Sequence, residues 1–397
     1  MPHNDSDLAR MRWDIFCNVV DNYGDIGVCW RLARQLAGEH RLAVRLWVDD
    51  VQSFVRLCPE ADARLDMQQC LGVEVRRWAE PFADVVPADV VIDGFGCALP
   101  SVYLTAMARQ TPRPVWFNLE YLSAEPWVND CHGLPSPRPE PGLVRYFFFP
   151  GFTAGTGGLL REAGLLERRD ALRADGAAQT AFWAAFGMPV PQPSALKVSL
   201  FCYENDNIPP LLDGWAGGER DVLCMVPEGR VLPQVSAWSG RCLVAGDVYM
   251  RGRLEIRVLP FVEQTCYDEL LWLCDINVVR GEDSFVRAQW AATPMVWHIY
   301  PQDDMAHIGK LSAFLDLYES GLEPADALML RRFWEAWNHG EGAADIWPAF
   351  AAMLGRLSSH AEQWCTALSA GVGGSLSANL VDFSGRIRES SDPNFER

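Results

Sequence analysis

Nowhere in this 397-residue chain does an apolar run reach spanning length, and Met1 to Met11 is polar, with no apolar stretch leading to a small-residue cleavage site. Neither a membrane span nor a secretory signal is expected, and the expected location is the cytoplasm. Basic side chains are scarce. Against 52 Asp and Glu there are only 34 Lys and Arg, a formal charge of −18, which disfavours nucleic-acid backbones and anionic membrane surfaces as partners. A cationic group on a partner suits this chain better. The twelve cysteines form no Cys-x-x-Cys pair and none approaches a histidine at zinc-ligand spacing, so they read as reduced thiols packed as small hydrophobes. The seven histidines show no paired spacing, and His298, inside an apolar strand, reads as a core residue. Asp49 and Asp50 read as a turn or a helix cap, because no third metal ligand is implied. The first half also lacks Gly-x-Gly-x-x-Gly, which weakens a dinucleotide dehydrogenase.

What is present is enough apolar sequence, 49% of residues, to build two cores, as the length suggests. Strand-like segments alternate with segments of helical period, which predicts parallel sheets joined by crossover helices. In the first half the strands fall near Trp13 to Val20, Leu42 to Val48, Val73 to Trp78, Val90 to Asp93 and Pro114 to Leu119, with helices over Val28 to Gly38, Val51 to Leu57 and Val102 to Gln110. Glu125 to Gly158, rich in proline and glycine, reads as a long functional loop. The proline-dense Pro189 to Pro193 marks an interdomain linker. The pattern restarts with strands near Ala195 to Tyr203, Val222 to Val226, Cys242 to Val244, Leu254 to Leu259, Asp275 to Val279 and Met295 to Ile299. Residues 1–188 are expected to form one domain and 189–365 a second, with 366–397 a helix packing back toward the first and a frayed tail from Gly385 on. The fold class is α/β, two doubly wound, Rossmann-like domains facing a cleft, where ligand sites favour lying.

Two turns carry chemistry. Asp21-Asn22-Tyr23-Gly24-Asp25 follows the first strand directly and opens the first helix. A nucleotide site would want glycines there and no acids, since phosphates are drawn to a helix N-terminus; Asp21 and Asp25 suit a cationic or hydroxylic substrate instead. In the second half, Arg280-Gly281-Glu282-Asp283-Ser284 lies between an apolar strand and a helix. Ser284 or Asp283 would cap that helix, whose N–H groups would face a diphosphate; Arg280 would add positive charge and Glu282 would accept from ribose hydroxyls. An ordinary capped turn explains the same local pattern. Phe261 and Gln264, three apart before another helix, suit a stacked and hydrogen-bonded base, and Phe201 and Tyr203 share one strand face. Aromatics at such spacing are more often core, so this signal alone is weak.

Longer stretches go further. Asp21 through Arg34, Trp116-Phe117-Asn118-Leu119-Glu120-Tyr121-Leu122-Ser123, Phe149-Pro150-Gly151-Phe152 and Arg280 through Gln289 resemble the bacterial elongation factor P arginine rhamnosyltransferases, the EarP family. The resemblance covers nearly the whole chain. It implies an inverting glycosyltransferase of the two-domain GT-B type that moves L-rhamnose from dTDP-β-L-rhamnose to an arginine of elongation factor P, supporting translation of polyproline stretches, with neither a cofactor nor a metal. It also implies roles. Asp21 and Asp25 match acceptor-side carboxylates, Asp25 being the better general base, and Asn22, Tyr23 and Gly24 go with them as substrate-binding. Phe261 and Gln264 match thymine contacts, Phe201 and Tyr203 nearby aromatic residues, Glu282, Asp283 and Ser284 ribose and diphosphate contacts, and Tyr300 a further nucleotide contact. The alternatives are another GT-B transferase or an epimerase of nucleotide sugars, or a non-catalytic nucleotide-sugar-binding regulator.

Overall fold

The structure, a computed structural model, describes residues 11–20, 23–138, 142–302, 305–371 and 374–390. The chain divides into two compact units, Met1–Ala163 with Ser369–Arg397 and Gly164–Leu368.

In unit 1 the elements are β1 (Arg12–Cys17), α1 (Gly24–Gly38), β2 (Ala43–Val48), α2 (Val51–Leu57), β3 (Met67–Cys70), β4 (Val73–Arg77), β5 (Val90–Gly94), α3 (Ser101–Arg109), β6 (Val115–Leu119), α4 (Trp127–Cys131), β7 (Pro135–Pro137) and β8 (Val144–Phe148). They make an eight-stranded sheet ordered β3-β4-β2-β1-β5-β6-β8-β7. Only β3 and β7, at the two edges, pair antiparallel. The parallel strands taken alone follow the order 3-2-1-4-5-6, with the topological switch between β1 and β5. Strands covered on both faces read as continuous apolar runs, and β1 is buried from Trp13 onward. Its exception, Asp14, is fully buried and satisfied by Arg45 at the paired position of β2, whose Nε and Nη2 donate at 2.6 and 2.5 Å, and by the Tyr103 hydroxyl. Phe16, Trp47, Tyr103 and Trp116 belong to one buried hydrophobic cluster of this unit.

Unit 2 contains α5 (Leu165–Ala174), α6 (Gly176–Ala185), β9 (Leu196–Leu200), α7 (Ile208–Gly217), β10 (Val222–Pro227), α8 (Leu232–Ser239), β11 (Val248–Arg251), β12 (Leu254–Leu259), α9 (Gln264–Leu273), β13 (Ile276–Arg280), α10 (Asp283–Ala291), β14 (Met295–His298), α11 (Ala306–Tyr318), α12 (Pro324–His339), α13 (Ala343–Ala352) and most of α14 (Leu354–Gly371). Its six-stranded sheet runs β11-β12-β10-β9-β13-β14, again with a switch beside the unit's first strand, between β9 and β13. The last helix, α15 (Leu376–Ser390), belongs to unit 1, where Phe383 meets the rings of Phe117 and Phe148 at 5.7 and 6.0 Å.

Five expectations change. The division falls after Ala163 and not at 188, because α5 anchors to unit 2: Arg169 donates to the Trp290 carbonyl at 2.8 Å and Arg173 to those of Trp272 and Ala291 at 2.9 and 2.6 Å, covering carbonyls that the ends of α9 and α10 leave unpaired. The prolines of 189–193 are therefore an irregular stretch within unit 2. Residues 125–158 are not one loop, since α4, β7 and β8 lie inside them and β8 joins the sheet parallel to β6. Cys242 to Val244 is not a strand; the edge is β11, antiparallel to β12. Residues 385–390 are the last turns of α15, and 391–397 lie outside the described residues. No helix among the described residues is long and apolar enough to cross a membrane.

Candidate functional site

At the switch point of unit 1, Asp21 and Asn22 lie outside the described residues. Tyr23 occupies the N-cap of α1 with no side-chain capping bond, Gly24 is the first helical residue, and Asp25 sits in the first turn, 4% exposed. Its Oδ2 accepts the Val20 N–H at 2.8 Å. An acid there is favoured by the helix dipole, which lets a nearly buried carboxylate stay in place. The preceding loop is braced from β2: Asp49 accepts the N–H groups of Val19 at 2.9 Å and Asp50 at 2.8 Å, and the Asn18 amide as well. Asp50 caps α2 through Gln52 and Ser53. The end of β5 presses close, because a Cβ on Gly94 would come within 2.9 Å of Cys29 Sγ and of the Phe16 carbonyl.

The same sheet end holds groups that the motif reading left without a role. Buried Asp93 accepts the Trp116 indole N–H at 2.6 Å and faces Arg145 at 3.5 Å; burial pushes its carboxyl up to about 8, against the downward pull of Arg145 and Trp116. Phe95, in the left-handed region at φ 58°, stacks on Tyr121 at 4.6 Å, and the Asn118 amide donates to Glu120. Non-glycine residues in that region often mark functional sites.

The switch point of unit 2 has the opposite character. Phe201 and Tyr203 follow β9, and Arg280 ends the adjacent β13. The Arg280 guanidinium lies 4.7 Å from the Phe201 ring centre and 4.8 Å from that of Tyr203. Such stacking fixes a cation while leaving N–H groups available. Arg280 is 8% exposed, and its buried Nη1 has no hydrogen-bond partner among the described residues. Tyr300 meets Tyr203 edge-on at 5.5 Å. The structure thus gathers Phe201, Tyr203, Arg280 and Tyr300 into one cluster.

Gln264, Asp283 and Ser284 lie beside it at the starts of two helices. Gln264 Nε2 donates to Asp283 Oδ2 at 3.2 Å, tying α9 to α10. A buried pair below them, Arg287 with both oxygens of Asp268 at 2.9 and 2.7 Å, fixes the same two helices. The expected cap is not as read: Glu282 holds the N-cap position of α10 without a side-chain capping bond, and Ser284, the second helical residue, donates its hydroxyl to the Arg280 carbonyl and accepts the Arg280 N–H at 3.2 Å. Phe261, just past β12, donates its backbone N–H to Glu228, just past β10, at 3.2 Å. One residue read from the sequence only as core also lies here. His298, paired with Arg280 across β13 and β14, stands edge-on to Tyr203 at 5.2 Å. Its only sequence signal was its place at the end of an apolar strand.

Among the described residues no three His, Cys, Asp or Glu cluster as metal ligands. The cysteines are free thiols and mostly buried.

Two doubly wound α/β units, each with chemistry-bearing residues at its switch point, define the GT-B class of glycosyltransferases. A glycosyltransferase solved with dTDP, VinC, shares this fold at 13% identity and TM-score 0.50, covering 95% of this chain and 100% of its own. The model of the family described as elongation factor P (EF-P) rhamnosyltransferase EarP matches residues 13–385, and the chain belongs to that family. The chain is 52% identical over 377 residues to a protein-arginine rhamnosyltransferase of Pseudomonas aeruginosa, covering 94% of this chain and 98% of the relative. It is 53% identical over 357 residues to the one of Pseudomonas putida, covering 89% and 94%. A structure solved for the basis of EarP-mediated arginine glycosylation of translation elongation factor EF-P superposes at TM-score 0.68 with 38% identity, covering 95% of this chain and 99% of that one.

Proposed function

We propose that this enzyme transfers L-rhamnose from dTDP-β-L-rhamnose, with inversion, to an arginine side chain of translation elongation factor P, in the cytoplasm, in support of polyproline translation. One observation carries the reading: equivalent switch points hold opposite charge, the Asp25 carboxylate in unit 1 and the Arg280 guanidinium in unit 2. A single ligand of one sign would not need both. Unit 1 takes the acceptor and unit 2 the donor.

The acceptor sets the difficulty. A guanidinium is protonated, with a pKa above about 12, and its lone pairs are delocalised, so it is a poor nucleophile. Asp25, with Asp21, grips the planar fork by charge-assisted hydrogen bonds and orients one terminal nitrogen. As that nitrogen bonds to the anomeric carbon, its proton passes to Asp25 and the bond from that carbon to the diphosphate oxygen breaks, so no free neutral guanidine forms first. The departing charge goes to Arg280 and the N–H groups that open α10. Phe261 and Gln264 hold the base, Glu282 the ribose. A metal is not called upon by these residues, and activity in EDTA is expected to equal that without it.

The deciding experiment is intact-mass and peptide mass spectrometry of EF-P incubated with this chain and dTDP-β-L-rhamnose. One deoxyhexose on arginine, α-linked by NMR, supports the proposal. No gain, or equal transfer from UDP and GDP sugars, supports a regulator or another transferase instead.

A further inference from the structure

Two buried polar atoms in unit 2 point at the same unfilled need. Arg280 and His298 occupy paired positions at the carboxyl ends of β13 and β14. Each contributes one buried nitrogen, Nη1 of Arg280 and Nδ1 of His298, with no hydrogen-bond partner among the described residues. His298 is 7% exposed, held between Tyr203 at 5.2 Å and Trp337 at 6.0 Å. Its ring therefore cannot swing out to water for a partner. Leaving a buried donor unmatched is costly in the empty protein, and such a cost is recovered when a ligand supplies the acceptor.

We infer that His298 is a donor-positioning residue, whose Nδ1–H and the Arg280 Nη1–H converge on oxyanions of a nucleoside diphosphate. The inference rests on the donor reading of unit 2 given above. A single guanidinium leaves the oxygens of a diphosphate free to rotate about it; a second fixed donor from the neighbouring strand removes that freedom. Burial, with Arg280 and His307 nearby, lowers the His298 pKa to about 4, so the ring is neutral at physiological pH and donates one N–H without adding charge. The tautomer follows from the ligand: an oxyanion requires the hydrogen on Nδ1. The aromatic walls, Tyr203 and Trp337, hold the ring edge in place.

Isothermal titration calorimetry on the full chain tests this with dTDP and thymidine as probes, for the wild type, His298→Phe and His298→Asn. The phenylalanine keeps the ring and deletes the donor; the asparagine amide keeps a donor near the Nδ1 position. The expected result is a dTDP Kd raised at least about tenfold in His298→Phe, partly restored in His298→Asn, with thymidine binding unchanged. The melting temperature of ligand-free His298→Phe should not fall. Equal loss for dTDP and thymidine would mark His298 as packing only and overturn the inference, as would a dTDP Kd within twofold of wild type. A wild type indifferent to dTDP would instead remove the donor reading itself, which keeps the two failures apart.

Discussion

Replacing Asp268 by Asn should destabilise unit 2 and loosen its donor side together. Asp268 is 2% exposed and receives two bonds from Arg287, itself 1% exposed, at 2.9 and 2.7 Å. Breaking one side of so buried a pair strands the other charge, at a cost of about 3–5 kcal/mol. For a unit of this size each kcal/mol moves Tm by about 2–4 °C, so the expected fall is on the order of 10 °C. The pair joins α9 to α10, whose first turns carry Gln264 and Asp283, so dTDP binding should weaken in the same variant although Asp268 is not placed on the ligand. Scanning calorimetry with and without dTDP measures both effects, since a ligand that binds only the folded state raises Tm. Asp268→Leu with Arg287→Met should recover most of the stability, because the stranded charge is gone. A single Asp268→Asn whose Tm stays within about 1 °C of wild type would refute the reasoning, for it would mean that the charge is not in fact isolated from water.

Asp49→Ala removes the acceptor of the Val19 and Asp50 N–H groups and should lower kcat while leaving dTDP affinity unchanged, with Asp49→Asn intermediate; steady-state kinetics with unchanged kcat in both would show that the loop before Asp21 needs no brace. Arg280→Lys keeps the charge and loses the planar stack on Phe201 and Tyr203, so calorimetry should show dTDP bound about ten- to a hundredfold more weakly; wild-type affinity would show that a point charge suffices. His298 also sets an acid limit. With its pKa lowered from 6.5 to about 4, the unfolded chain takes up the proton first, so stability is full above pH 6.5 and falls toward pH 4, by about 3 kcal/mol from this group. Urea unfolding of His298→Phe should show a flatter loss over that window; parallel curves would contradict it.

Most parallel strands were legible because strands buried on both faces are written as apolar runs, as in Val90–Gly94, Val115–Leu119 and Val222–Pro227, while Val73–Arg77 and Leu254–Leu259 were legible from alternation of apolar with charged residues. Edge strands were not. Met67–Cys70 and Val248–Arg251 carry polar or exposed residues on one side, and Val144–Phe148 lies among prolines and glycines that read as loop. The unit boundary was hidden for a different reason: what assigns Leu165–Ala174 to unit 2 is Arg169 and Arg173 reaching carbonyls more than a hundred residues away or nearly so, which no local pattern encodes. Of the candidate site, the strand-to-helix turns at Asp25 and at Arg280 to Ser284 were visible because acids, glycines and an arginine interrupt apolar sequence there. The roles within them were less so. Whether Ser284 caps α10 or bonds back to Arg280 depends on a difference of two residues in where the helix starts. His298 looked like core because in a buried strand a polar residue and its apolar neighbours share one pattern, and only the pairing of β13 with β14 sets it beside Arg280.

Asp25→Asn is the most direct probe of the central claim, since the new amide oxygen can still accept the Val20 N–H and keep the turn, while the carboxylate that would receive the proton is gone. Mass spectrometry of EF-P with dTDP-β-L-rhamnose, beside calorimetry with dTDP, should show transfer lowered by about 10²-fold or more and an unaltered dTDP Kd. Transfer near the wild-type rate would contradict an acceptor site built on that acid.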